Sequence, residues 1–267
     1  MIGRIGCQTY TWEMLGPGWR GSPDDILDLV GAAGYDGVEF SNAMIGDYMR
    51  SPDRLAAALA RRGLALAAFA YAADGFTDPE RYEADLAGAE QALAFARAMG
   101  VPLCLGGPAA PSRQDYERSF AQAIRFYRAV AERGAEAGVT VCVHPHSHFG
   151  SLLESAAEYD VLLAATEDVG LLFNPDAGHI VRGGQDLMAC FRRHRSRIAH
   201  VHIKDADAAG NWQPLGGGRI AWRELLDFLR DTGYTGWIVA EEESDAAFVD
   251  QAAAIQGNRA YLKSLGA

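Results

Sequence analysis

The sequence lacks the features that membrane-spanning, exported and nucleic-acid-binding proteins need. No apolar run reaches the roughly 18 residues of a transmembrane helix. The first residues, MIGRIGCQTYTW, have neither the long apolar core nor the small-residue cleavage site of a signal peptide. Lysine and arginine number 24 against 35 acidic residues, and basic runs are as short as Arg192–Arg193. Because a nucleic-acid-binding protein must neutralise phosphates, the net charge of −11 argues against that partner. We expect neither nucleic acid nor membrane as a partner.

The sequence also has only four cysteines, and no two of them form a CxxC pair. Cys7, Cys104 and Cys142 lie within apolar, strand-like runs, where buried thiols are common, and Cys190 stands apart from them. This pattern predicts reduced thiols, which are typical of a cytoplasmic protein.

A unit made of an alanine-rich helix, a glycine and a short apolar strand recurs along the chain, for example in ILDLVGAAGYDGVEF and LLDFLRDTGYTGWIVAE. The glycine stands where a helix ends with a positive φ, and the continuous apolar strands are those of a sheet covered on both faces. The pattern predicts eight strands: Arg4–Tyr10, Gly37–Phe40, Leu64–Tyr71, Pro102–Leu105, Thr140–His144, Val169–Phe173, Ile198–Ile203 and Trp237–Glu241. Eight strands with intervening helices predict an α/β fold, a single (β/α)8 TIM barrel in which residues 1–267 form one domain.

Two glycine patterns bear on two alternatives, an open, doubly wound sheet and a phosphate-binding loop. No GxGxxG turn follows the first strand, which disfavours that alternative. Gly216–Gly218 follow the seventh strand and precede a helix that begins near Trp222. Backbone N–H groups of such a run can bind phosphate, but a flexible loop is the favoured interpretation.

Polar side chains gather where the predicted strands end, which is the face on which barrels carry their active sites. These residues are Glu39, Tyr71, Asp74, His144, His146, His148, Asp176, His179, His202, Lys204, Asp205 and Glu241–Glu243. Carboxylate and imidazole groups are ligands that divalent cations prefer, so the pattern predicts a metal site. Alternation along the strands predicts that Glu241 points into the barrel and Glu242 away from it, and that His200 is a packed interior residue. His194 follows an arginine-rich stretch and is predicted to be solvated surface.

Several motifs resemble a known family. FNPDAGH, HVHIKD, PLGGGRIAW and GWIVAEEES resemble the xylose isomerase-like TIM-barrel superfamily of sugar isomerases and epimerases. HPHSHFGSLLES resembles the inosose dehydratase-like branch, and the catalytic subunits of C-glycoside deglycosidases are also similar. The resemblance runs from the first strand to Glu243 and is most specific from Val141 onward. It implies an enzyme with one divalent metal, most often Mn, with Co, Mg or Zn as alternatives. It also implies a homo-oligomer, with or without a small accessory subunit.

The resemblance implies a set of metal ligands. Carried over by position, Asp176, His202 and Glu241 match the family's ligands after strands six, seven and eight. The fourth ligand is either Glu154, in the Gly-Ser-Leu-Leu-Glu run, or His144, and Glu154 is favoured. Typical epimerases of the family have a glutamate where this chain has His144.

The histidine at position 144 bears on the reaction. Related 3-epimerases use two glutamates on opposite faces of the substrate carbon, and His144 breaks that symmetry. A single base and a separate acid suit β-elimination, with His144 or His146 as the base and Lys204 or His179 as the acid. The substrate-binding residues are predicted to be Glu39, His179, Trp212 and Glu243.

The predicted activity is therefore metal-dependent proton abstraction next to the carbonyl of a keto-sugar, keto-polyol or 3-keto glycoside, followed by elimination of water or aglycone. The alternative is a ketose 3-epimerase or sugar isomerase, which would exchange solvent deuterium into the substrate without a loss of mass. An endonuclease-like barrel would need a basic groove, and the acidic balance of the chain disfavours it. A non-catalytic sugar-binding barrel would not need a complete set of metal ligands.

Overall fold

The computed structural model describes residues 3–73, 76, 78–107, 113–147 and 151–267. Asp74 and His148, both named above as strand-end residues, lie outside these ranges. The chain forms two compact units. The first unit comprises residues 1–67 and 201–267, and the second unit comprises residues 68–200. The single domain expected over residues 1–267 stays a prediction.

Strands and helices alternate along the described residues. The strands are β1 (Ile5–Gln8), β2 (Gly37–Ser41), β3 (Ala65–Tyr71), β4 (Leu103–Gly106), β5 (Val141–His144), β6 (Leu172–Phe173), β7 (Val201–Ile203), β8 (Asp205–Ala206), β9 (Trp212–Gln213) and β10 (Ile238–Ala240). The helices are α1 (Tyr10–Glu13), α2 (Pro23–Ala33), α3 (Pro52–Arg61), α4 (Tyr82–Met99), α5 (Tyr116–Ala137), α6 (Ala156–Ala165), α7 (Ala177–Arg182), α8 (Leu187–His194), α9 (Trp222–Asp231), α10 (Asp245–Val249) and α11 (Gln251–Ser264). In the described part of the chain, every helix is too short or too polar to cross a lipid bilayer.

Each of the eight predicted strands overlaps an observed one, and the differences lie at the strand ends. The first strand stops at Gln8 because Tyr10 begins helix α1. The sixth and seventh strands are shorter than predicted, and Ile198 contributes only a single bridge to Phe173. The short antiparallel hairpin of β8 and β9 was not predicted, because a strand of two residues carries no apolar period.

In the first unit, four parallel strands lie in the order β2, β1, β10, β7. Cys7 is opposite Val38 on one side and Ala240 on the other, and Ala240 is opposite Ile203. Helix α2 begins at a capping box in which Ser22 and Asp25 bond each other's backbone N–H. These buried strands bring their carboxyl ends, and the polar residues that follow them, to one edge of the sheet.

In the second unit, β3 to β6 are parallel neighbours in chain order. Cys104 and Cys142 are opposite each other on β4 and β5, with their Sγ atoms 3.1 Å apart, and they pack with Ala68 and Leu172. All four cysteines of the chain are free thiols and buried, and burial was predicted for Cys7, Cys104 and Cys142. The His144 side chain lies two residues beyond Cys142 and therefore on the same face of the strand.

Candidate active site and metal centre

In the first unit, His202 lies between two carboxylates. Its Nε2 is 3.0 Å from Glu39 Oε1 and its Nδ1 is 3.0 Å from Glu241 Oε2, and all three side chains are buried. Burial by itself would lower the pKa of His202, but attraction to Glu39 and hydrogen bonds to both carboxylates raise it to about 10. The two glutamates therefore hold a positive charge between them, as a divalent cation site would. Glu39, predicted to bind substrate, lies against the predicted metal ligand His202.

Lys204 follows His202 by two residues and carries a second buried charge. Its Nζ is 3.4 Å from Glu241 Oε1, forms an ion pair with Glu243 and lies 4.7 Å from the centre of the Trp212 ring. The β8–β9 hairpin brings Trp212 to this position, because Trp212 is opposite Ala206 on β8. Lys204, Glu243 and Trp212 thus lie together with the predicted ligand Glu241. The Lys204 ammonium is attracted to the face of the Trp212 ring as well as to the two carboxylates.

Helix α1 adds two residues that the sequence reasoning missed. Burial, followed by the charges of Glu243 and Glu241, raises the pKa of Tyr10 to about 12, while Lys204 lowers it. Glu13 accepts a hydrogen bond from Ser41, and its pKa is raised, mainly by burial. The segment was predicted as the end of a strand, so the helical turn that carries both side chains was not expected.

In the second unit, three imidazoles form a cluster. Ring nitrogens of His144, His146 and His179 lie within 4.8 Å of one another. His144 Nε2 is also 3.6 Å from Asp176 Oδ2, and Asp176 caps helix α7 by accepting the backbone N–H of His179 at 2.8 Å. The structure therefore brings together the predicted base residues, the predicted ligand Asp176 and the predicted substrate-binding residue His179.

Hydrogen bonds set the protonation of two of these rings. The backbone N–H of Ser147 donates to His179 Nδ1 at 2.8 Å, so Nδ1 is unprotonated and the proton of the neutral ring is on Nε2. His146 Nδ1 lies 3.0 Å from the Gly107 carbonyl oxygen, which only accepts, so Nδ1 carries the proton and Nε2 of the neutral ring keeps its lone pair. The cluster therefore presents a basic nitrogen on His146 and a donor on His179.

Comparison with known proteins places the chain in a family. Residues 27–265 match the model of the xylose isomerase-like TIM-barrel family. The chain is also 32% identical over 257 residues to the rhizopine catabolism protein MocC of Rhizobium meliloti, covering 83% of this chain and 75% of that protein. The chain belongs to the xylose isomerase-like TIM-barrel family.

Other members of the family and several solved structures are similar over most of the chain. The inosose dehydratase of Lacticaseibacillus casei is 28% identical over 261 residues, covering 84% of this chain and 83% of that protein. The structure of the IolI protein with a bound zinc atom aligns with a TM-score of 0.81 at 15% identity, covering 98% of this chain and 97% of that one. The 3-keto-D-glucoside 4-epimerase YcjR of E. coli aligns with a TM-score of 0.79 at 20% identity, covering 98% and 99%. The (β/α)8 barrel fold is thereby confirmed. As predicted, this family member is an enzyme of the lyase, isomerase or epimerase type.

Glu154, the favoured fourth ligand, lies elsewhere in the second unit of this barrel. Its Oε2 is 4.0 Å from Arg113 Nη2, and its carbonyl oxygen accepts a hydrogen bond from Gln185 at 2.6 Å. Arg113 also donates to Glu158 at 2.6 Å, which ties the loop after β4 to the start of α6. His144, the other candidate for the fourth ligand, has its Nε2 3.6 Å from Asp176 Oδ2 in this unit, and this contact supports His144.

Glu158→Gln is expected to destabilise the protein by about 1 kcal/mol at neutral pH, because Glu158 completes the α6 capping box and accepts from Arg113. Burial raises the pKa of Glu158, but hydrogen bonds from Arg113 and from the backbone of Ser155 and Glu154 outweigh it and lower the pKa below its usual range. A carboxylate of this kind stabilises the fold above its unfolded pKa, and the stabilisation is lost as the pH falls through the folded pKa. Urea unfolding should therefore show a difference between variant and parent at pH 7 that shrinks below about pH 4.

Glu90→Gln is the matched control for this pH profile, because Glu90 pairs with Arg133 on an exposed surface. Its unfolding free energy should stay close to that of the parent chain at both pH values. A Glu158→Gln variant whose deficit is the same at pH 7 and at pH 3 would show that the charge of Glu158 contributes nothing.

Asp205 is a structural residue, although it follows the HVHIK motif directly. Its buried carboxylate accepts hydrogen bonds from the backbone N–H groups of Gly216 (2.9 Å) and Ile220 (3.3 Å) and from Trp222 Nε1 (2.8 Å). A Cβ on Gly218 would lie 2.1 Å from Asp205 Oδ1, so the turn closes on the carboxylate only with glycine there. Of the Gly216–Gly218 run considered for phosphate binding, the Gly216 N–H already bonds this carboxylate and the Gly217 N–H bonds the Pro214 carbonyl.

Two other polar residues have structural roles. Glu242 accepts from Ser244 N at 2.7 Å and Asn258 Nδ2 at 2.5 Å, and so turns away from Glu241. The Tyr71 hydroxyl donates a hydrogen bond to the Asp85 carbonyl oxygen.

The prediction that His194 is solvated surface was wrong. His194 is buried, 3.5 Å from Asp160 and against the Phe173 ring, and burial lowers its pKa.

Proposed function

We propose that the protein is a divalent-metal-dependent lyase that removes a proton next to the carbonyl group of a keto-polyol or keto-sugar and eliminates a β-oxygen substituent, as in the dehydration of an inosose. The observation that carries the proposal is the imidazole cluster of His144, His146 and His179, in which one ring presents a lone pair and another an N–H. Inosose dehydratases among the relatives support the substrate class. The proton-transfer groups of this cluster are chemically different, which suits elimination better than a symmetric exchange.

In the proposed reaction, the histidine cluster takes up one proton from the substrate and gives one proton to the departing oxygen. His146 Nε2 accepts the proton from the carbon next to the carbonyl, and the electrons of that C–H bond form the new C=C bond. The C–O bond at the β-carbon breaks, and His179 Nε2–H donates to the departing oxygen, which leaves as water. The protonated His146 then returns its proton to His179, whose ring centre is 4.9 Å away, so both rings end neutral. His144 is the alternative base, and Lys204 is the alternative acid. The ion pair of Lys204 with Glu243 and its place beside Trp212 favour a role in holding a substrate oxygen.

We also propose that one divalent metal is bound by Asp176, His202 and Glu241, with His144 or Glu154 as the fourth ligand. The donor chemistry within each unit supports this, because one unit offers an imidazole between two carboxylates and the other an imidazole beside a carboxylate. When bound, such an ion would supply Lewis-acid stabilisation for the negative charge that develops on the carbonyl oxygen. Mn is the metal proposed, with Co, Mg and Zn as alternatives.

Removal of divalent metal is expected to lower turnover by more than about 100-fold, because the substrate carbonyl then loses its electrostatic stabilisation. The purified protein would be treated with a chelator, dialysed and assayed by mass spectrometry with inososes, ketoses and 3-keto glycosides, before and after addition of Mn. A loss of water from an inosose that Mn restores is the expected result. Loss of an aglycone would identify the deglycosidase variant, and deuterium uptake without loss of mass would identify an epimerase instead.

A further inference from the structure

Asn174 lies at the end of β6, two residues before Asp176. Its backbone N–H donates to the Val143 carbonyl at 2.9 Å, which continues the pairing of β5 with β6 by one residue. Cys142 is opposite Leu172 and Val143 opposite Phe173, so His144 stands opposite Asn174. Because side chains alternate along strands, Asn174 shares the face of Leu172 and Cys142, which is also the face of His144.

The carboxamide of Asn174 is fully buried, and neither of its polar atoms has a hydrogen-bond partner among the described residues. Buried amides almost always have partners, because desolvating their donors and acceptor is otherwise unfavourable. Leucine has nearly the same shape and would fill this position without that cost. An amide kept at the edge of the histidine cluster therefore indicates a polar group that it binds.

We infer that Asn174 is a substrate-binding residue whose carboxamide bonds two neighbouring oxygens of a polyol ring. Its Nδ2 would donate to one oxygen, and its Oδ1 would accept from the hydroxyl on the adjacent carbon. The inference rests on the proposed function for the class of substrate, and it adds the residue that recognises a pair of vicinal oxygens.

The chemistry of the amide selects this ligand over others. An anion would accept a hydrogen bond from Asn174 Nδ2 but would leave Asn174 Oδ1 without a donor. The carboxylate of Asp176, two residues away, would also repel a negatively charged ligand. An apolar ligand would leave both amide atoms without partners. A vicinal diol or hydroxyketone supplies an acceptor and a donor on neighbouring atoms, which matches what the carboxamide offers.

The test is Asn174→Leu, compared with the parent protein in the Mn-loaded state. Calorimetric titration with myo-inositol, which has no ketone and cannot be turned over by the proposed reaction, should show about 100-fold weaker binding, roughly tenfold for each hydrogen bond lost. Cyclohexane-1,2-diol and cyclohexanol extend the test, because the parent protein should prefer the diol and the variant should not. The melting temperature of the variant should equal or exceed that of the parent protein, and its affinity for Mn alone should be unchanged.

Gln122→Leu is the matched control, because Gln122 on helix α5 also has a buried side-chain nitrogen without a partner in the described chain. It should leave polyol binding unchanged. Equal polyol affinity in Asn174→Leu and parent overturns the inference, even if the parent eliminates water from an inosose. Polyol binding that depends on Asn174 in a protein without elimination activity supports the inference and contradicts the proposed function. A parent protein that neither binds a polyol nor eliminates water from an inosose overturns both.

Discussion

Replacing His202 with alanine is expected to lower kcat/KM by more than about 100-fold and to abolish binding of the divalent metal. The His202 imidazole lies between Glu39 and Glu241, with 3.0 Å contacts to both. Without the imidazole, the site loses its proposed nitrogen ligand and leaves two buried carboxylates, Glu39 and Glu241, with no group between them. Removing a residue that only orients a ligand costs ten- to a hundred-fold, so removing a ligand itself should cost at least that much. Metal content of the purified variant and turnover of an inosose measure the two effects.

The control is His194→Ala, another buried histidine, which lies on α8 against Phe173 and Asp160. This variant should lose some stability because it creates a cavity, yet it should retain metal and turnover. Circular dichroism of both variants shows whether the barrel is folded. If His202→Ala keeps full activity after chelator treatment, His202 is not a ligand and the proposed metal centre is wrong.

Replacing Asp205 with alanine is expected to lower the free energy of unfolding by more than about 3 kcal/mol. The substitution leaves the N–H groups of Gly216 and Ile220 and the indole N–H of Trp222 without their common acceptor, and each buried unpaired donor costs about 1–3 kcal/mol. In a protein of this size the melting temperature should fall by roughly 6 °C or more. Urea unfolding followed by circular dichroism measures the loss.

Asp207→Ala in the same hairpin is the control for the Asp205 variant. Asp207 bonds Ala209, Asn211 and Gln213 on the exposed side of the turn, so its removal should cost less than about 1 kcal/mol. Asp205→Asn should fall between the two, since an amide keeps one acceptor oxygen but turns an N–H₂ group toward a donor. An Asp205→Ala variant as stable as the control would show that the glycine-rich turn does not depend on the carboxylate.

The strands of this barrel were predictable because they are short, continuous apolar runs that follow a glycine at a helix end. That signal locates β2 and β10 to within one or two residues. It fails where an apolar residue does not pair with a neighbouring strand. Ile198 is apolar but makes only one bridge, so the seventh strand begins later than its sequence suggests. Thr9 and Tyr10 are residue types that favour strands, yet the chain turns into α1 there. His194 was misjudged because its arginine neighbours are exposed while its own ring faces Phe173.

The residue types of the candidate site were predictable from their positions at strand ends, but their orientations were not. The protonation of His146 and His179 depends on Gly107 and Ser147, whose backbone groups carry no sequence signature. The place of Glu154 depends on Arg113, which is 41 positions earlier in the chain. Asn174 was overlooked because an amide is neither a strong metal ligand nor an acid or base, and only its burial without a partner draws notice.

The carboxylate of Asp205 has a consequence for ligand affinity. It fixes the glycine-rich turn from within, and the β8–β9 hairpin that begins at Asp205 carries Trp212 over Lys204. The conformational entropy of this segment is therefore lost when the chain folds and not when a ligand arrives. A ligand that binds beside Lys204 therefore does not have to order this segment, and Trp212 is preorganised for binding.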